Sequence, residues 1–184
     1  MTILTVFHVD DAGAPARRER ATSALAEITR ELARVGVELE RWRASTELTA
    51  SATQDDVLAA YRTDVDRLMT RGGYRSADVV RMHPDHPDRD AMRTKFLAEH
   101  THADDEVRFF VEGAGAFYVR DGMHVLKIVA ERRDLLRLPA GTRHWFDMGP
   151  DPYFAAIRIF TSPEGWVARF TGDRVAERVP LYLP

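Results

Sequence analysis

The chain contains no cysteine, and this absence removes disulfides, thiolate metal ligands and cysteine nucleophiles together. Any metal must therefore be held by nitrogen and oxygen. A strong charge of either sign is missing too: 26 basic against 29 acidic residues leave a formal net charge of -3, with no global attraction to nucleic acid or anionic membrane. The opening MTILTVFHVDD lacks a basic leader region, and its apolar stretch is interrupted at His8. Neither a signal peptide nor a membrane span is expected, and a cytoplasmic setting is. Internal repeats, low-complexity stretches and linkers are also lacking. With 184 residues, 45% of them hydrophobic, the chain is long enough for one well-buried core, and residues 1–184 are read as a single domain.

What is present falls into two textures. In the first half, Thr2 to Val9 reads as a β-rich strand ended by Asp10-Asp11-Ala12-Gly13. After Ala14-Pro15, a helical stripe runs through Ala21, Leu25, Ile28, Leu32 and Val35 and stops at Gly36. Val37 to Trp42 reads as a strand. Thr53-Gln54-Asp55-Asp56 resembles a capping box and leads into one amphipathic helix through Val57, Tyr61, Val65 and Met69, ending at Gly72-Gly73. Ser76 to Met82 is a strand, His83 to Asp88 a rigid loop with two prolines, and Asp90 the cap of a short helix over Ala91 to Leu97. His83 and His86 lack a third ligand and belong to a loop near the mouth of a site. From Val107 onward, short β-branched and aromatic runs are separated by Gly, Asp or Pro, which predicts a closed or sandwiched antiparallel sheet. Asp121-Gly122 marks a hairpin between AFYVR and MHVLKIV.

The chemistry concentrates in EHTHADDEVRFFVEGAG, from Glu99 to Gly115, and LPAGTRHWFD, from Leu138 to Asp147. On a strand, residues i and i+2 share a face about 6.6 Å apart, so His100 and His102 can converge on one ion. Glu106 is too far to join by straight extension, roughly 13 Å further on. The chain must bend between them, and Ala103-Asp104-Asp105 suits a bend. His144 can arrive only through the tertiary fold. Three imidazoles and a carboxylate suit iron, nickel, copper, manganese or zinc, and ligand identity does not choose among them.

Alternation from Glu106 places Arg108 and Phe110 on the metal-facing side. An arginine inside a barrel keeps its charge and needs an anion, which a bound substrate or an internal acid would supply. Arg158 sits in the apolar run Tyr153 to Phe160, where an edge-strand surface position competes with an internal one. Phe146 shares parity with His144, Trp145 points outward, and Trp166 closes the barrel region after Pro163-Glu164-Gly165. Such aromatics serve as core as readily as substrate wall. His8 and His124 carry no neighbouring ligand pattern and read as ordinary strand histidines.

These two segments resemble the paired motifs of the cupin superfamily, and EHTHADDEVRFFVEGAGAFYVR is similar to the acireductone dioxygenases of methionine salvage. One position departs: the second cupin motif usually opens with Gly near 133, where this chain has Arg133, so that Asp134 begins it. The resemblance covers most of the chain, with its specificity in residues 99–147. It implies a mainly β cupin double-stranded β-helix, a jelly-roll barrel with N-terminal α-helices. Residues 1–98 would form the helical annex and first strands, and 99–170 the metal-binding core.

The resemblance further implies that His100, His102, Glu106 and His144 bind one Fe2+ or Ni2+ per chain. Arg108 and Arg158 would act in catalysis and hold an enediolate substrate, Phe146 and Trp166 would line its pocket, Glu99 would assist metal loading and Asp105 would relay conformational change. The implied reaction is oxidation of 1,2-dihydroxy-3-keto-5-methylthiopentene by O2, by a monomer without nucleic-acid or membrane partners. Two rivals are a zinc cupin acting as a sugar-phosphate isomerase and a non-catalytic cupin binding module.

Overall fold

A computed structural model describes residues 1–10, 12–162 and 167–184. The first half supplies four strands: β1 (Ile3–His8), β2 (Arg17–Thr22), β3 (Glu38–Arg41) and β4 (Ser76–Met82). Between them lie helices α1 (Leu25–Arg34), α2 (Gln54–Ala60) and α3 (Arg62–Gly72). Then come α4 (Arg89–Leu97), β5 (His100–Thr101), β6 (Glu106–Asp121), β7 (His124–Glu131), β8 (Asp134–Leu138), β9 (His144–Asp147), β10 (Phe154–Phe160) and β11 (Arg169–Phe170).

All pairings are antiparallel, and β6 organises them. Its first half lies between β10 and β8, extended outward by β4 and β3, and its second half between β9 and β7, extended by β5, β11, β1 and β2. One strand of 16 residues thus belongs to both sheets of the jelly roll. The sequence breaks this stretch into separate runs at Gly113 and Gly115, but the strand continues through them. Gly113 has φ +57°, and a Cβ there would lie 1.7 Å from the Tyr153 carbonyl oxygen, so glycine lets the strand turn the corner against its neighbour.

Between the sheets lies an apolar core containing Leu4, Val6, Phe110, Phe117, Val119, Ile128, Leu136, Phe146 and Phe154, joined by Ile28 and Leu32 of α1. Helices α2 and α3 cover the other face of the β10–β6–β8 sheet, where Val57, Tyr61, Val65 and Leu68 meet Val107, Phe109 and Ile157. A third cluster joins Tyr118 and Trp145 to Val175, Val179 and Tyr182 of the C-terminal segment. Trp145 therefore points away from the inner core, as its parity predicts, yet is 1% exposed and stacked on Tyr118 at 5.0 Å.

Several boundaries differ from the sequence reading. The stripe beginning at Ala21 is helical only from Leu25, because Arg17–Thr22 pairs with β1 and is strand. Here pairing with a neighbouring strand overrides local periodicity. The single helix expected after Thr53 divides at Tyr61 (φ -112°, ψ 18°), whose ring packs edge-on against Phe109 and whose hydroxyl donates to the Thr46 carbonyl. Its capping box is present: the Asp56 amide donates to Thr53 Oγ1 and the Thr53 amide to Asp56 Oδ2. Asp88, not Asp90, precedes α4, and without a side-chain cap. In the β6–β7 hairpin Asp121 pairs with His124, so the two central residues are Gly122, at φ +57°, and Met123. Arg133 has φ +89°, the one positive φ outside glycine among the described residues. The turn keeps the conformation for which the motif normally uses Gly.

Candidate metal centre and active site

The bend predicted between the histidines and Glu106 is held from both sides. Asp104 Oδ2 accepts from the amide and hydroxyl of Ser162 at 2.9 and 2.6 Å. Asp105 accepts from the Ala140 amide at 2.9 Å and from Arg137 at 2.7 and 2.9 Å. The His102 carbonyl accepts from the Gly141 amide at 2.9 Å. The bonds of His102 and Asp105 clamp the first motif to the Pro-Ala-Gly turn of the second, and those of Asp104 tie it to the end of β10. Pairing of β5 with β9 then sets His100 directly opposite His144, and Glu106 opens β6 beside them.

Each imidazole is oriented from behind. Nδ1 lies 2.7 Å from the Ala98 carbonyl in His100, 3.1 Å from that of Val167 in His102 and 2.8 Å from that of Thr142 in His144. A carbonyl only accepts, so each Nδ1 carries the hydrogen and each Nε2 a free lone pair. The three rings offer ligand atoms within 4.8 Å of one another, and all three residues are buried. Glu106 Oε2 lies 2.7 Å from His144 Nε2 and 3.5 Å from His102 Nε2. Glu106 Oε2 and His144 Nε2 are both buried without a hydrogen-bond donor. Two acceptors 2.7 Å apart must share a proton or a cation, and with the other two imidazoles beside them this donor set fits a first-row divalent metal.

The electrostatics agree. Burial, reinforced by His144, lowers the His100 imidazole to about 4, and burial lowers that of His102. Both rings stand ready as neutral ligands. Burial alone would raise the Glu106 carboxyl, but the Arg108 guanidinium outweighs it and holds Glu106 well below the usual carboxylate range. Arg108 Nε donates to Glu106 Oε1 at 2.5 Å, which leaves Oε2 facing the histidines.

A pocket with about 540 Å³ of open space, its mouth included, adjoins this centre. It is lined by the four candidate ligands, Arg108, Arg158, Phe146, and also Lys95, Phe96, Phe117, Phe160, Ala168 and Phe170. Arg158 lies on a central strand and lines the pocket, but Asp78 of β4 binds its guanidinium through both oxygens, at 2.6 and 2.5 Å. Glu99 is buried and accepts from Thr171 Oγ1 at 2.7 Å, with Arg120 at 3.5 Å. Asp105 belongs to the clamp described above. Trp166 lies outside the described residues. His83 and His86 do not line the pocket; His83 packs against Tyr153.

Sequence reasoning missed Phe117 for a definite reason. Between Ala155 and Ala156 the β6–β10 register skips Val111, so side-chain alternation changes phase along β6. Glu106, Arg108 and Phe110 face inward before the bulge, and Phe117 and Val119 after it. The FVEGAG run was the available signal. Lys95 and Phe96 reach the pocket from α4, a placement that spacing does not reveal.

Comparison with known proteins points the same way. The model of the ARD/ARD' family matches residues 5–168. An acireductone dioxygenase of Parvibaculum lavamentivorans is 58% identical over 182 residues, covering 99% of this chain and 97% of that protein. One from a Synechococcus species is 52% identical, covering 98% and 99%. A solved acireductone dioxygenase from Bacillus anthracis, with a cadmium ion in its active centre, superposes with a TM-score of 0.77 at 27% identity, covering 90% of this chain and 98% of that one.

Proposed function

The chain belongs to the ARD/ARD' family of acireductone dioxygenases, and we propose that His100, His102, Glu106 and His144 hold its metal while Arg108 and Arg158 receive the substrate. The enzyme is a metal-dependent dioxygenase of methionine salvage that uses Fe2+ or Ni2+. It oxidises 1,2-dihydroxy-3-keto-5-methylthiopentene with O2 to 4-methylthio-2-oxobutanoate and formate with iron bound, or to 3-methylthiopropanoate, formate and carbon monoxide with nickel bound. Family membership replaces the isomerase and binding-module readings.

The observation that carries the site assignment is the buried cluster of His100, His102 and His144, each Nδ1 turned back to a carbonyl, with Glu106 Oε2 2.7 Å from His144 Nε2 and 3.5 Å from His102 Nε2. Once bound, the metal would act as a Lewis acid that chelates and acidifies the two adjacent hydroxyls of the substrate. The rest falls to this chain's own side chains. Arg108 and Arg158 stand opposite each other in the β6–β10 register, and their charges stabilise the enediolate in a site largely walled off from water. Phe146 and Phe117, whose rings lie 4.9 Å apart, form an apolar wall.

Glu99, buried beside His100, assists loading of the ion, and Asp105 transmits movement between the two motifs through Arg137 and Ala140. Residues 1–184 form one domain, with 99–170 its metal-binding core. The protein acts as a monomer in the cytoplasm on a small substrate and O2, without nucleic-acid or membrane partners. No helix among the described residues is long and apolar enough to cross a membrane.

The test is elemental analysis of the purified protein, then oxygen uptake with the acireductone after reconstitution with iron or nickel. We expect one tightly bound ion at this centre and products that change with the metal. A tightly bound ion that the His100→Ala, His144→Ala double variant retains after dialysis against metal-free buffer would overturn the ligand assignment.

A further inference from the structure

We propose that His8, Glu19 and His124 form a second divalent-metal site, on the β2–β1–β7 part of the sheet, suited to Zn2+, Ni2+ or Cu2+. None of the three lines the pocket beside the first centre. In the sequence the two histidines look unrelated, but strand pairing places them directly opposite each other, His8 on β1 and His124 on β7. Their rings meet edge to face with centroids 5.6 Å apart. Side chains at directly opposed positions share a face of the sheet, so both rings open to the same side.

Glu19 is supplied by an irregularity. Along β2, Val6 pairs with Arg20 and the next residue, Phe7, with Arg18, which leaves Glu19 as the extra residue of a β-bulge. Bulges re-aim side chains, and here Glu19 Oε2 reaches to 3.5 Å from His124 Nε2. One ligand atom from each residue lies within 4.8 Å of the other two. A tetrahedral ion about 2.1 Å from each ligand sets its ligands roughly 3.4 Å apart, so one pair already has that spacing and modest side-chain rotation closes the rest. Arg17 donates to Glu19 Oε1 at 3.2 Å and leaves Oε2 to the ion. Two imidazoles and one carboxylate favour borderline transition ions over Mg2+ or Ca2+.

This site differs from the first in kind. Its side chains are half-exposed, and Arg17 brings a positive charge close to it. It should bind more weakly than the buried centre and exchange readily with solvent. Elemental analysis of this protein would then count two ions per chain when zinc or nickel is in excess, and only one of them would bear on turnover.

The experiment is equilibrium dialysis of the full chain against Zn2+ at neutral pH, with Mg2+ in parallel. Wild type is expected to bind two equivalents of Zn2+, and His124→Ala to weaken the second by about tenfold or more while leaving the first equivalent unchanged. Glu19→Gln should act in the same direction. His124 and Glu19 are exposed enough for both variants to fold, and a thermal melt verifies this. One equivalent in wild type, or a second equivalent that survives His124→Ala, overturns the proposal. Because the readout is stoichiometry, the result does not depend on which reaction the buried centre performs.

Discussion

Arg108 and Arg158 occupy the same rung of the β6–β10 ladder, yet each is bound to a different carboxylate: Arg108 to Glu106 and Arg158 to Asp78 on the far side. The charges thus run acid, base, base, acid across the pocket wall. Two like charges side by side inside a protein are costly unless each has its own counter-ion, and the two acids supply these. An anion bound between the arginines gains from both.

Asp78 should therefore matter although it is not among the lining residues. Asp78→Asn removes the charge that holds Arg158 in place, and we expect KM to rise about tenfold, of the order of losing one charge-assisted contact, with metal content unchanged. Steady-state kinetics together with metal analysis check this. An unchanged KM would show that Arg158 keeps its position without Asp78.

Arg108 is expected to behave differently, because it also orients a candidate ligand. Arg108→Ala frees Glu106 Oε1 from its donor at 2.5 Å, so both turnover and metal affinity should fall, the latter by roughly 10- to 100-fold. Competition against a chelator measures the affinity. Lost turnover at full affinity would confine Arg108 to substrate binding.

Gly115 limits how far the pocket wall can change. A Cβ on this residue would lie 2.3 Å from the Phe146 ring, so Gly115→Ala must push that ring toward the cavity. We expect a loss of about 1–3 kcal/mol in stability and a raised KM with the ion still bound. Chemical denaturation and kinetics on the same preparation test both.

Arg133 holds a left-handed conformation at φ +89° that glycine adopts without strain. Arg133→Gly should stabilise the protein by about 0.5–1 kcal/mol, the strain relieved exceeding the added freedom of the unfolded chain. A thermal melt should move up by roughly 1–4 °C for a chain of this size. A lower melting temperature would mean that the Arg133 side chain contributes more than its backbone costs.

Without metal, acid should weaken the fold through the same centre. The His100 imidazole is lowered from 6.5 to about 4 by burial, so between these values the unfolded chain binds a proton that the folded chain does not. Stability therefore falls as pH drops from about 6.5 to about 4, by roughly 3 kcal/mol from this group. Melts of chelator-treated protein across that range should show the slope, and His100→Gln should flatten it.

The candidate ligands, the bend at Asp104 and Asp105, the capping box at Thr53 and the β-rich second half could all be read from the chain, since each follows from local spacing and side-chain chemistry. The relation between the motifs followed from resemblance, and Arg133 in a left-handed turn shows the backbone demand outlasting the usual residue. The remaining features depend on long-range pairing. Pairing of β5 with β9 brought His144 to His100, β4 brought Asp78 to Arg158, and a bulge at Val111 turned Phe117 inward. Strand pairing also overruled the helical stripe at Ala21 and gathered His8, Glu19 and His124. Periodicity gives the side of a strand on which a residue lies only until a bulge intervenes, and it carries no information about which distant strand lies beside it. Those contacts come from closing the two sheets around one core, where burying apolar area outweighs local preference.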